Sequence, residues 1–145
     1  MNRYDTLQLK NQLCFPLYAC SREIIKRGRF CLDALGLTYT QYIVLLVVWE
    51  EGTVSVRDLG RKLYLDSGTL TPVLKTLEKM GLITRARSKE DERVLLVSVT
   101  GEGLALREEA LSVPEKIKHS LGLSPEEEEL LYGLLYKVLD APEKE

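Results

Sequence analysis

Apolar positions along the 145-residue chain follow a helical period almost throughout, broken by one short middle stretch that alternates in the manner of strands. From about Leu7 to Leu35, the residues Leu13, Leu17, Ile24, Ile25, Leu32 and Leu35 recur at helical spacing and stop at Gly36. One or two helices are predicted here, with Pro16 in a first turn or at a kink. Gln41 to Glu51 is hydrophobic nearly all round, is preceded by Thr40 as a cap and closes at Gly52, so it is expected to be the buried central helix. Ser55, with Asp58 three residues on, opens a short helix whose apolar stripe is Val56, Leu59 and Leu63. A turn over Tyr64 to Gly68 leads to a second short helix starting around Ser67 to Thr69. Hydroxyls can cap that start, and Pro72 is tolerated in a first turn whose amides have no partner. The buried face of this helix is predicted as Leu70, Val73, Leu74, Leu77 and Met80, with Gly81 as its stop.

The period then changes. Leu82 to Arg87 and Val94 to Val99 are β-prone runs around Ser88 to Arg93, a segment too polar to pack and of hairpin length, and together they predict a β-wing. Thr100 precedes a helix to about Leu111 and Pro114 interrupts. Ser124-Pro125-Glu126-Glu127 opens a last helix whose pairs Leu130/Leu131, Leu134/Leu135 and Val138/Leu139 recur every four residues. The fold class is mainly α with a small β-wing, a winged helix-turn-helix, in one domain over residues 1–145. The winged lobe is expected at 53–100, with N- and C-terminal dimerisation helices at 1–36 and 101–145, because those segments carry more apolar residues than one small lobe can cover.

Composition adds little beyond an ordinary core, at 45% hydrophobic and 29% charged residues. The apolar run Tyr42 to Trp49 is too short to span a bilayer and no signal-peptide pattern opens the chain, so a cytoplasmic protein without a membrane partner is expected. Cys14, Cys20 and Cys31 form no CxxC pair and His119 stands far from all of them, which argues against a disulfide framework, a metal site or a cofactor.

Net charge is −2, but its distribution favours nucleic acid. Thr53 to Arg93 holds nine basic residues (Arg57, Arg61, Lys62, Lys75, Lys79, Arg85, Arg87, Lys89, Arg93) against six acidic ones, a net of +3. Ser124 to Glu145 holds seven acids and two lysines, a net of −5. A helix that reads a major groove needs short hydrogen-bonding side chains for base edges and longer cations for phosphate. Ser67, Thr69, Thr71, Lys75, Thr76 and Lys79 supply them. The bland alternative is the solvated face of an ordinary helix. The wing weighs against it, because Arg85, Arg87 and Arg93 flank a tip that can reach the neighbouring minor groove. Asp91, two residues before Arg93, is placed to orient that guanidinium through a fork-shaped ion pair.

These residues resemble the multiple-antibiotic-resistance regulator (MarR) family. The resemblance is carried by Leu65-Asp66-Ser67-Gly68-Thr69-Leu70-Thr71-Pro72, by Gly81-Leu82-Ile83-Thr84-Arg85 and by Asp91-Glu92-Arg93. Asn11-Gln12-Leu13-Cys14-Phe15 and Leu37-Thr38-Tyr39-Thr40-Gln41-Tyr42 extend it to the organic hydroperoxide resistance regulator subgroup, over about Leu9 to Thr100. The resemblance implies a homodimer on a pseudopalindromic operator of double-stranded DNA, usually as a repressor. It also implies that Cys14 senses organic hydroperoxide, with a tyrosine matching Tyr39 bonding the sulfur across the dimer. Tyr18, one turn after Cys14, and Tyr42 are further supporting phenols.

Two departures follow from that comparison. Gly28 stands where the family commonly has a second tyrosine, and no cysteine follows Cys31, which points to the one-cysteine branch. There a sulfenic acid is capped by a low-molecular-weight thiol or oxidised further. Cys20 and Cys31 are assigned to core packing, Cys20 because six residues turn it to another helix face from Cys14. Without the resemblance, Cys14 reads as a small buried hydrophobe. Two alternatives stay open: a MarR-type repressor released by a small aromatic ligand, and a thiol peroxidase, for which neither a base nor a resolving partner is visible.

Overall fold

In the computed structural model of the protein, which describes residues 2–142, two short 3-10 turns lead into helix α1 (Cys14–Leu32), which carries Pro16 in its first turn. A further 3-10 turn ends at Gly36, whose left-handed φ of 69° reverses the chain. Helix α2 (Tyr39–Glu51) is capped by Thr38, two residues before the expected Thr40. The reason is reciprocity: Thr38 Oγ1 accepts from the Gln41 amide at 3.2 Å, and Gln41 Oε1 accepts from the Thr38 amide at 3.0 Å. Val44, Leu45 and Val48 of α2 are fully buried, and Trp49 Nε1 donates to the Gly103 carbonyl at 2.8 Å.

Strand β1 (Thr53–Ser55), absent from the pattern expected of the sequence, pairs antiparallel with β3 (Leu95–Val99), Val54 opposite Val97. Strand β2 (Ile83–Arg87) pairs with the other edge of β3, Arg85 opposite Val97, giving the order β1-β3-β2. Between β1 and β2 lie α3 (Val56–Leu63) and α4 (Ser67–Lys79). Their turn is tight: Tyr64 is left-handed at φ 56°, and the Leu65 amide donates back to the Gly60 carbonyl at 2.9 Å. A Cβ on Gly60 would stand 2.7 Å from the Leu65 carbonyl oxygen, so only glycine lets the backbones approach this closely.

Helix α4 starts at Ser67, the first of the expected positions, but a carboxylate caps it where hydroxyls were expected. Asp66 Oδ1 accepts from the Thr69 amide at 2.8 Å. Pro72 therefore falls in the second turn, and its missing amide leaves the Gly68 carbonyl without a helical donor. Met80, expected on the buried face, is 39% exposed because the helix ends before it. Thr100 caps α5 (Gly101–Glu109) and donates its hydroxyl to the Gly81 carbonyl at 2.7 Å. Pro114 begins α6 (Val113–Ser120) instead of only interrupting a helix, since a first turn spends no bond on its amide. Ser124 and Glu127 form a capping box for α7 (Pro125–Leu139).

Leu59, Leu70, Leu74, Leu77, Ile83 and Val97 join the α2 side chains and Leu32 of α1 in one core beneath the winged lobe. Helix α7 stands apart from it, with no buried residue. Leu131 and Leu135 instead line an apolar groove with Leu13, Pro16, Leu17, Cys20 and Ile24 of the α1 region. Among the described residues, no single helix is long and apolar enough to cross a membrane.

Candidate nucleic-acid interface and thiol site

Ser67, Thr69, Thr71, Lys75, Thr76 and Lys79 are all exposed on α4. Ser67, Thr71, Lys75 and Lys79 recur every four residues and share one face. Thr71 Oγ1 donates to the Ser67 carbonyl at 2.7 Å, and Thr76 Oγ1 donates to the Pro72 carbonyl at 3.0 Å. With their protons used inside the helix, the two threonines present acceptor lone pairs and methyl groups outward, a surface suited to base-edge donors and thymine methyls.

At the wing, the Arg93 side chain is 91% exposed and still held in place. Its Nε and one terminal nitrogen donate to the two Asp91 carboxylate oxygens at 3.0 and 3.1 Å, and its backbone amide adds a third bond at 3.0 Å. These bonds, those of the side chain first, hold the Asp91 carboxyl below the usual carboxylate range. The fork expected between the two residues is thus present, and it aims an otherwise free cation into solvent. Arg87 is exposed at the end of β2. Ser67, Thr71, Asp91 and Arg93 line one open cavity of about 630 Å³ together with Ser55 and Arg57. Arg57, which the sequence offered only as one charge in a basic stretch, therefore belongs to the same face as the helix start and the wing.

Arg85 does not join that face, which corrects its grouping with the DNA-contacting arginines. Alternation along β2 turns it inward beside Ile83, and its side chain, 19% exposed, pairs with Glu78 of α4 at 3.1 Å.

The thiol side divides in two. Cys14 is exposed as the first residue of α1, and Tyr18, one turn later, is also exposed, its phenol oxygen accepting from Arg22 at 3.0 Å. Tyr39 lies elsewhere. Its ring packs over Gly28, with Cδ2 3.4 Å from where a Cβ would stand, so the missing side chain at Gly28 is filled by Tyr39 itself. Gly28 lies fourteen residues beyond Cys14 on the same helix, about 21 Å along its axis at 1.5 Å per residue. Within one chain Tyr39 and Cys14 do not meet. Tyr42 is 4% exposed and tilted against Tyr39 at 6.0 Å, and burial followed by the Tyr39 neighbour pushes its phenol pKa up. It is a core residue and lies with Tyr39, not with Cys14. Cys31 packs half-buried against the core as expected, whereas Cys20 is exposed in the α1–α7 groove.

A family model described as transcriptional regulator SarA/Rot matches residues 29–109. The organic hydroperoxide resistance transcriptional regulator of Bacillus subtilis is 51% identical over 142 residues, covering 96% of this chain and 95% of that protein. The structure of reduced AbfR bound to DNA superposes with a TM-score of 0.76 at 37% identity, covering 95% of this chain and 96% of that one. A mutant MarR of Escherichia coli complexed with operator DNA gives 0.81 at 25% identity, covering 96% and 99%.

Proposed function

Because this chain belongs to the MarR family of winged-helix transcription regulators, and within it resembles the organic hydroperoxide resistance regulators, we propose that it is a homodimeric repressor released from its operator when organic hydroperoxide oxidises Cys14. The relatives are DNA-binding regulators and not enzymes, so the thiol peroxidase alternative lapses. Helix α4 enters the major groove with Thr69, Thr71 and Thr76 toward base edges and Ser67, Lys75 and Lys79 toward phosphate. The wing places Arg93, oriented by Asp91, and Arg87 in the adjoining minor groove.

The observation that carries the redox reading is the position of Cys14, an exposed first residue of a 19-residue helix whose N-cap, Leu13, provides no side-chain acceptor. A thiolate at Cys14 attacks the outer oxygen of the hydroperoxide, the O–O bond breaks, and sulfur is oxidised to sulfenic acid while the peroxide leaves as the alcohol after taking up a proton. Condensation with a low-molecular-weight thiol then gives a mixed disulfide and water. Tyr39, about 21 Å away along its own chain, serves the Cys14 of the second subunit. Polar or bulky additions at that packed interface force it to repack and move the two reading helices out of register with their half-sites.

Operator binding with and without cumene hydroperoxide, alongside mass spectrometry of the thiols, tests this. Cys14→Ser is expected to bind operator and ignore the peroxide, while Cys20→Ser and Cys31→Ser keep both properties. Release of Cys14→Ser by peroxide overturns the mechanism. The aromatic-ligand alternative has one feature in its favour, an open cavity of about 480 Å³ lined by Arg29, Tyr39, Thr76 and Met80 between α1 and α4. It gains if aromatic acids release both parent and Cys14→Ser.

A further inference from the structure

Arg85 is the least comfortable residue of the winged lobe. Its Nε is buried with no hydrogen-bond partner, although one terminal nitrogen of the guanidinium and its own backbone amide both donate to Glu78, at 3.1 and 3.2 Å. A buried donor left unpaired is costly, and an ion pair whose carboxylate is 40% exposed adds little to stability. What the pair supplies is geometry. Glu78 lies in the last turn of the reading helix α4, and Arg85 is the middle residue of β2, the strand that runs out to the wing. One carboxylate therefore grips the strand twice, by main chain and by side chain, at the point where helix and wing diverge. Glu78 is held charged by this contact, its carboxyl kept below the usual range by the Arg85 side chain first.

We propose that Arg85 and Glu78 are positioning residues for DNA binding, a tether that fixes the angle between reading helix and wing so that both reach their grooves together. The proposal rests on the DNA-binding reading above. It inverts the simplest expectation for an arginine in such a lobe: Arg85 acts on DNA through Glu78 and not by touching phosphate.

The two roles differ in what Glu78→Gln does. Removing an acid from a DNA-facing lobe strengthens binding on electrostatic grounds alone, and it also frees a directly contacting arginine. A tether predicts the reverse. The test uses the full-length dimer and a duplex selected from random sequence by the parent protein. Glu78→Gln and Arg85→Met are each expected to weaken binding about tenfold, Arg85→Lys to restore most of it, and thermal unfolding to shift little. Arg93→Ala is expected to cost about tenfold in the parent but less than about threefold on the Glu78→Gln background, because a misaligned wing has less to lose. Additive penalties, or Glu78→Gln binding as tightly as the parent or tighter, overturn the tether. If Glu78→Gln unfolds, folded Arg85→Met decides the matter, and parent-like affinity there overturns it equally. A parent that selects no duplex brings down the DNA-binding reading itself, which is a separate failure.

Discussion

At the scale of single residues, most of what matters is decided by neighbours the sequence does not display side by side. Arg85, Arg87 and Arg93 are alike on paper, and Arg85 and Arg87 even share one strand face, so it is the Glu78 carboxylate that separates the inward one from the two that face solvent. Gly60 carries no motif, yet a methyl there would strike the Leu65 carbonyl at 2.7 Å in the turn between α3 and α4. Gly60→Ala is expected to destabilise the fold by about 2 kcal/mol, read as a lower midpoint in denaturant with an unchanged slope. Arg93→Ala and Lys79→Ala separate two kinds of contact. The first is expected to weaken the preferred duplex about tenfold and unrelated DNA much less. The second weakens all duplexes alike and lowers the salt slope by about one, both read by titration at several salt concentrations.

Among the elements, helices with strong caps and one apolar face were legible, while caps with two candidates and very short strands were not. Thr38 and Thr40 both fit the start of α2, and the choice falls to Thr38 because Gln41 stands three residues beyond it and answers its amide. Thr38→Ala is expected to cost about 1 kcal/mol. Strand β1 spans only three residues, too few for its Thr-Val-Ser alternation to be read as a strand, and it is held by pairing with β3. Asp66 gives α4 a pH dependence. The Thr69 amide and then its hydroxyl hold the Asp66 carboxyl below its ordinary range, so its contribution is present above the unfolded pKa and is lost as pH falls through the lower folded value. Asp66→Asn keeps an acceptor at the cap but does not titrate. Its thermal midpoint is expected to vary less than the parent's between about pH 2 and 4, and equal curves exclude the carboxylate as a contributor.

For the whole molecule, the helix pair, the wing and the central core followed from periodicity and turn chemistry, whereas the relation proposed for Cys14 and Tyr39 requires a second chain, and no single sequence contains it. The same holds for Cys20, placed in the core by helix face alone and found in the α1–α7 groove. Leu131 and Leu135 line that groove at 40% and 37% exposure, and Leu130, Tyr132 and Leu134 beyond it are more open still. Leu131→Lys with Leu135→Lys is expected to yield a monomer in sedimentation, folded in its core but unable to hold both half-sites. A stable dimer in that variant removes α7 from the interface. The bareness of α7 also bears on how the regulator works in a growing cell. On the dimeric reading proposed above, a helix that meets its own chain only along the α1 groove is completed when two finished polypeptides meet, so the supply of competent molecules rises with the square of a low synthesis rate. Small changes in expression would then shift promoter occupancy steeply, giving the gene a threshold before any oxidant arrives.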